Sequence, residues 1–578
     1  MSMEYSMFPS FRSGIRCLTG LAAIYCLLAC DIGAVSARQL TRVSHTVSAR
    51  SGPERLPQVK KINELIERDW SEYGLKPSRP ATENEWCRRL HLDLLGRAPT
   101  IEEVSSFLKN KDEDKRLKLV DKLLYSDDYT EEFARNWTTI WTNLLIGRTG
   151  GTDDDSMINR TGMQKYLRDS FAREKPYDRM VDDLITATGT TSPDDPKFNG
   201  ATNFLIDKVN PEEATLATSS TTRIFLGLQV QCAQCHKHPF NDWEQETYWR
   251  MNAFFRQAKA FRRSMESETG ANAELADQDY SSDHRRDFNE AELYFESRNG
   301  LMQVAYPVFV DGTEIDRSGL VKVVNRRKEL SKLVTGSEYM DRTIANRLWA
   351  HFLGYGFTSP VDDLGPHNVP SNPELLEYLG AEFRESAEFE LRELMKWIVL
   401  SRPYGLSSQR SKSNESDDPL LGVSPRFSHF YIRQLQPEQL YETLLVNTQA
   451  AARGNYEQQE QVKSRWLQQF NKAFGTDEGG ESTDFNGTIP QVLMMFNGEM
   501  VKEATRADSG GIIDRLARSG ASTKEQVDQL FLAGLSRAPT SQEARMAAQL
   551  IKSQNDIREG LRDVWWVVLN SNEFIFNH

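Results

Sequence analysis

At 578 residues the chain exceeds what one hydrophobic core organises, so two or more domains are expected. Its 39% hydrophobic and 26% charged residues are ordinary for a globular protein, and eleven tryptophans supply bulk for large cores. A formal net charge of −13 speaks against nucleic acid, which rewards basic surfaces, and against a simple electrostatic hold on anionic lipid.

The first residues have the order of a secretory signal. Arg12 and Arg16 precede the apolar run "CLTGLAAIYCLLA", and "DIGAVSA" then ends in small residues, placing cleavage after Ala37. The expectation is a signal peptide over 1–37 and an exported protein, periplasmic or extracellular. A membrane anchor is the alternative, but Asp31 and Gly33 stop the run short of the ~20 apolar residues that span a bilayer. "LLAC" also sets Cys30 where a lipid-carrying cysteine sits, so lipoprotein anchoring at Cys30 is a subsidiary reading. No later stretch is long enough to cross a membrane. Loss of the signal removes Cys17, Cys26 and Cys30. Cys87, Cys232 and Cys235 remain, which is no disulfide framework. Cys87 is in line with Leu90 and Leu94 and reads as a small buried hydrophobe.

Residues 38–55 are polar and read as a flexible segment. Helical periodicity then dominates: Val59, Ile62, Ile66 and Trp70 form one stripe, and Phe133, Trp137, Ile140, Trp141 and Leu144 another. Helix starts are marked by Thr100 with Glu103, by Asn210 with Pro211 and Glu213, and by Ser371 with Pro373 and Glu374. Leu391, Leu394, Met395 and Ile398 repeat the stripe in the second half. Strand signals are few, with one short extended piece at 302–312. The segment 259–300 is charged and poor in apolar residues, and polar loops stand at 405–420 and 474–488. The fold class is mainly α: two multi-helical domains, 56–258 and 326–578, joined by a charged connector, 259–325, with a short β element. "LGRAPTIEE" at 95–103 recurs as "LSRAPTSQE" at 535–543, a proline stop followed by a threonine cap and a reciprocal glutamate.

Chemistry concentrates in "QCAQCHKHPF", 231–240. Covalent haem needs two thiols for two vinyl groups and an imidazole on the same side for the iron, and Cys232, Cys235 and His236 have that spacing. Pro239 biases His238 away from helix, and a second helix is expected from Asn241 with Glu244 completing a capping box. Its inner face would hold Trp243, Thr247, Met251, Phe254 and Phe255, an apolar cover or plain core. Three alternatives stay open: zinc held by Cys232, Cys235, His236 and His238; a local disulfide or redox pair; and free structural thiols. Met251, Met302, His351 and His367 are candidates for a sixth iron ligand, with His351 better placed as a core histidine. "SPVDDLGPHNVPSNPE", 359–374, gathers Asp362, Asp363 and His367 on a loop. These are candidate metal ligands or acid–base groups, with capped turns and a solvated histidine as the plainer reading.

"GLQVQCAQCHKHPFNDWEQETYW", "RRLHLDLLGRAPTIEEVSSFL", "LVDKLLYSDDYTEEFARNW", "IANRLWAHFLGYGFTSPVDDLG", "NPELLEYLGAEF" and "LNSNEFIFNH" resemble a planctomycete two-domain family of unknown function. In it a planctomycete-type cytochrome c domain precedes a planctomycete-specific domain. The resemblance implies an exported bacterial protein with a cytochrome-like segment. It carries the haem motif onto Cys232, Cys235 and His236, with His238 and Pro239 completing the family's Cys-His-x-His-Pro pattern. Many relatives hold a further N-terminal haem motif that this sequence lacks, so a single haem c is expected. Relatives are associated with sulfatase-like exported proteins in polysaccharide use, which implies a partner of that kind. The leading expectation is an exported mono-haem c-type cytochrome-like protein with a redox or electron-transfer role and an unidentified redox partner. The alternative is a non-haem periplasmic or surface interaction protein of a polysaccharide-processing system. There the two cysteines would be structural or bind zinc. A third reading is a hydrolase using Asp362, Asp363 and His367 with a metal.

Overall fold

The computed structural model describes residues 55–153, 155–209, 214–241, 243–263, 270–283, 286–448, 456–474, 505–506 and 510–578. The signal over 1–37, Cys30, the cap at Asn210 and the loop at 474–488 beyond its first residue lie outside the described residues. The chain is mainly α, as the periodicity predicts. The first helical region runs α1 (Pro57–Glu72), α2 (Glu83–Leu95), α3 (Ile101–Lys109), α4 (Lys115–Tyr125), α5 (Asp127–Ile146), α6 (Arg160–Ala172), α7 (Tyr177–Thr186), α8 (Thr215–Leu226) and α9 (Gln245–Asn252). The second runs α10 (Arg326–Thr335), α11 (Glu338–Leu353), α12 (Pro373–Glu385), α13 (Leu391–Val399), α14 (Pro437–Thr448) and α15 (Tyr456–Phe474). It ends with α16 (Ile512–Arg518), α17 (Thr523–Leu535), α18 (Ser541–Ser553), α19 (Ile557–Leu569) and α20 (Asn572–Ile575).

Each stripe read from the sequence faces a core. Val59, Ile62, Ile66 and Trp70 are buried on α1, as are Phe133, Trp137 and Trp141 on α5 and Leu391, Leu394, Met395 and Ile398 on α13. Cys87 is buried, and burial pushes its thiol pKa well up. Thr100 and Glu103 form the expected reciprocal box. At α12 the cap is one residue later than expected: Asn372, not Ser371, accepts from Leu375 N, and Pro373 is the first helical residue.

One buried cluster draws on both helical regions, from Val59 to Tyr431. A second gathers Leu435 to Phe574 together with Leu92 and Ala98. Helix α2 lies between them, and every residue from Trp86 to Leu95 is buried. Its polar side chains tie to backbone on both sides. Arg88 donates to the carbonyls of Gly534 (2.9 Å) and Phe574 (3.1 Å), and Arg89 to those of Tyr404 and Leu406. Asp93 accepts from Tyr404 Oη, Arg433 and Asn577. These bonds make burial of the charges tolerable.

The connector is more ordered than its composition suggests. Strand β1 (Gly189–Thr190), β2 (Ala258–Arg262) and β3 (Ala273–Asp277) form an antiparallel sheet in the order β1-β3-β2. A hairpin of β4 (Leu293–Glu296) and β5 (Met302–Ala305) follows, in place of the one extended piece expected at 302–312. Arg326, fully buried, gathers this segment by donating to the carbonyls of Ala253, Ala291, Arg317 and Ser318. Composition hides such order because its organiser is one buried cation, not an apolar stripe. The chain closes with β6 (Arg433–Gln434) paired to β7 (Phe576–Asn577).

Candidate functional site

Helix α8 stops at Gly227, which is left-handed (φ 62°); a side chain there would strike Thr343 Oγ1 and Leu364. The backbone then runs irregularly to one 3-10 turn, Gln231–Gln234, with Cys235 capping it. Cys232 and Cys235 are free and exposed, and so is His236. His236 Nδ1–H donates to its neighbour's carbonyl, Lys237 O, at 2.6 Å. That bond takes up Nδ1 and leaves Nε2 as the ring nitrogen available to a ligand. Two accessible thiols three residues apart and an available Nε2 are a donor set that fits covalent haem.

His238 differs from its neighbour. It is buried, and its Nδ1 accepts Phe240 N at 3.3 Å, so its proton is on Nε2. The ring also has a hydrogen bond to the backbone of Gln229, while His238 N donates to Trp243 O at 2.8 Å. Burial, and then the neighbouring His367, hold its pKa below the ordinary histidine value. The ring therefore joins the two flanks of the motif. Among the described residues no group of three or more His, Cys, Asp or Glu side chains is drawn together for a metal ion.

Helix α9 starts later than expected. Glu244 is its N-cap without a side-chain bond, and Asn241 instead turns the chain by accepting Trp243 N at 3.0 Å. Its buried face is Tyr248 and Met251, with Phe254 and Phe255 in the turn beyond, while Thr247 is half-buried. Gln245 and Trp249 both donate to Gln234 O, at 3.1 and 3.2 Å, and Gln245 also reaches Glu296 O on β4. The 3-10 turn is thereby held against α9 and the β4–β5 hairpin.

The loop read as a candidate second site lies against the motif. Asp362 is 3% and Asp363 7% exposed. Asp362 accepts from Arg223 Nη1 at 2.8 Å and from Gln229 Nε2 at 2.7 Å. Asp363 accepts from Gly365 N at 3.2 Å and from His367 Nε2 at 3.0 Å. Leu364 N donates to Gly227 O at 2.7 Å. The His367 ring lies 5.6 Å from that of His238 and stacks with Phe240 at 5.8 Å and 27°. His367 is exposed, as the plainer reading has it, and Asp363 does cap a turn at Gly365, while Asp362 and the His367–Asp363 pair spend polar atoms on the fold around the cysteine–histidine loop. Sequence spacing gave no hint of this, because the two segments meet only through the tertiary fold.

Of the four candidate sixth ligands, His367 is the one in ring contact with the motif's loop. Met251 is buried in the core, and Met302 is exposed on β5. His351 packs 5.0 Å from the Trp137 ring, donates to Asp93 O at 3.2 Å, and burial pushes its pKa down to about 3. It is the core histidine expected.

Among the described residues no helix is long and apolar enough to cross a membrane. No curated protein and no solved structure matches the chain. Residues 61–260 match a family described as a protein of unknown function (DUF1549), PSCyt2, and residues 326–551 one described as a protein of unknown function (DUF1553), PSD1. The chain thus carries, in that order, the planctomycete pair of domains of unknown function, the cysteine–histidine loop in the first and the loop that holds it in the second.

Proposed function

We propose that the protein is an exported, mono-haem c-type cytochrome-like protein with an electron-transfer role. The observation that supports this most is the state of the motif. Cys232 and Cys235 are exposed at a braced 3-10 turn, and His236 is exposed with its Nδ1 held by Lys237 O, which leaves Nε2 as its second ring nitrogen. Cys232 and Cys235 would hold the porphyrin through thioether bonds and His236 would ligate the iron. The bound group would supply one-electron chemistry at a potential set by its ligands and surroundings. Asp362, Asp363 and His367 would take no part in hydrolysis, since protein donors already occupy both carboxylates. Export, supported by the signal pattern over 1–37, places the thiols where c-type attachment takes place, and the redox partner would be another exported protein.

Expression in a host able to attach c-type haem tests this. The denatured protein should keep its Soret band and gain the mass of one haem, and both should vanish in Cys232→Ala/Cys235→Ala. A colourless protein at the bare polypeptide mass overturns the proposal, and metal analysis of that sample then tests zinc.

A further inference from the structure

The loop that presents Cys232, Cys235 and His236 has one 3-10 turn and no strand or helix of its own. Such a segment keeps one geometry only if its flanks are fixed from outside. Both flanks are fixed, and by two residues adjacent in sequence. Asp362 grips the leading flank, binding Arg223 at the end of α8 and the side chain of Gln229 just before the motif. Asp363 grips the trailing flank through a relay: it holds His367, whose ring packs on His238 and Phe240. His238 then bonds to Gln229 and accepts Phe240 N, closing the loop on itself. Asn368 Nδ2 donates to Asp363 O at 2.9 Å and to Ser359 O at 3.2 Å, so the gripping loop is itself tied.

We infer that Asp362, Asp363 and His367 of the second domain are positioning residues for the cysteine–histidine loop of the first. His238 is the coupling between them. The second domain on this reading builds the presenting face of the motif and is not a separate activity. Two neighbouring carboxylates buried side by side are costly unless each is fully hydrogen-bonded, and here all four oxygens accept a protein donor. A cluster of three rings across the domain boundary, His238 edge-on to Phe240 and His367 stacked on Phe240, has the same meaning: packing spent on orientation, not on a ligand.

Amide hydrogen exchange on the full-length, haem-free chain tests the inference independently of haem. In His367→Ala the amides of His238 and Phe240 should exchange tenfold faster or more, while the helices exchange as in the parent. His367→Phe, which keeps the ring packing but loses the Asp363 hydrogen bond, and Asp363→Asn should each lose only part of that protection. The 15N signals of His238 should report a single Nε2–H tautomer in the parent and a mixture in His367→Ala. That readout is one that a change in bulk stability would not move. Unchanged exchange and an unchanged His238 tautomer in both His367→Ala and Asp363→Asn overturn the inference. A protein that never takes up haem leaves it standing. Where haem is attached, His367→Ala should in addition shift the reduction potential.

Discussion

The two Leu-x-Arg-Ala-Pro-Thr segments are the same device in two settings. In the first, α2 ends at Gly96 (φ 72°), Arg97 bonds Glu103 and Glu132, and Thr100 boxes with Glu103 to start α3. In the second, α17 ends at Ser536 (φ 57°), Arg537 bonds Glu543 and Glu573, and Thr540 boxes with Glu543 to start α18. Even the helix before each turn opens alike, with Thr82–Glu85 and Ser522–Glu525 boxes. The settings differ. The Arg97 side chain is 7% exposed and that of Arg537 23%. A side chain at position 96 would run into Asn136, so glycine is required there, whereas Ser536 is tolerated in its left-handed turn. Beneath the first clamp is the buried His91; the matching position beneath the second is Phe531. Local grammar sets the turn, and burial sets what breaking it costs.

Removing the cation should give the largest contrast. Arg97→Ala leaves Glu103 and Glu132 without their partner in a largely dry site and should cost about 3–5 kcal/mol in chemical denaturation. Arg537→Ala, nearer to water, should cost about 1–2 kcal/mol. Equal losses would dissolve the comparison.

Acid should separate the modules next. Burial pushes His91 down to about 4 from 6.5, so the unfolded chain takes up a proton between these values that the native chain refuses. Its contribution is complete above pH 6.5 and declines as pH falls towards 4, by roughly 3 kcal/mol. Stability measured across that window should slope less steeply in His91→Phe, which copies the second module, than in the parent, with His351 still contributing in both. Glu543 behaves otherwise. The Arg537 hydrogen bonds hold it down at about 2, so its contribution is present above pH 4.5 and is lost only as pH falls towards 2.

The smallest effect belongs to the turn. Ser536 has a positive φ and a buried hydroxyl without a hydrogen-bond partner. Ser536→Gly relieves both and should stabilise by about 1 kcal/mol, read as a rise in melting temperature. A loss on this change would mean that the two turns are not the same device.

These pairs also mark what could be read from the sequence. The echo at 95–103 and 535–543, its caps, and the stripes at 59–70 and 391–398 were legible because they depend on neighbours a few residues away. The motif residues were legible for the same reason. Strand β3, "AELAD", was not, since its composition is poor in strand formers and its order comes from pairing with β2. The all-round burial of α2 was hidden as well, because Arg88, Arg89 and Asp93 are polar in sequence and are buried against carbonyl and side-chain partners supplied by distant segments. The meeting of Asp362, Asp363 and His367 with Gln229, His238 and Phe240 was the least legible, because each segment alone satisfies a plain reading as a loop.

The grip of Asp362 and Asp363 on the motif has a consequence in time. Synthesis runs from the first domain to the second, so Cys232, Cys235 and His236 exist before either aspartate does. At ordinary synthesis rates the interval is on the order of ten seconds. During it the flanks lack Asp362, Asp363 and His367 and keep only the contacts made by earlier residues, Gln245 and Trp249 with Gln234 O and His238 with Gln229. Once residues 359–369 arrive, the segment sets. The order of the domains thus makes the contacts from 359–369 the last part of the motif's surroundings to be built.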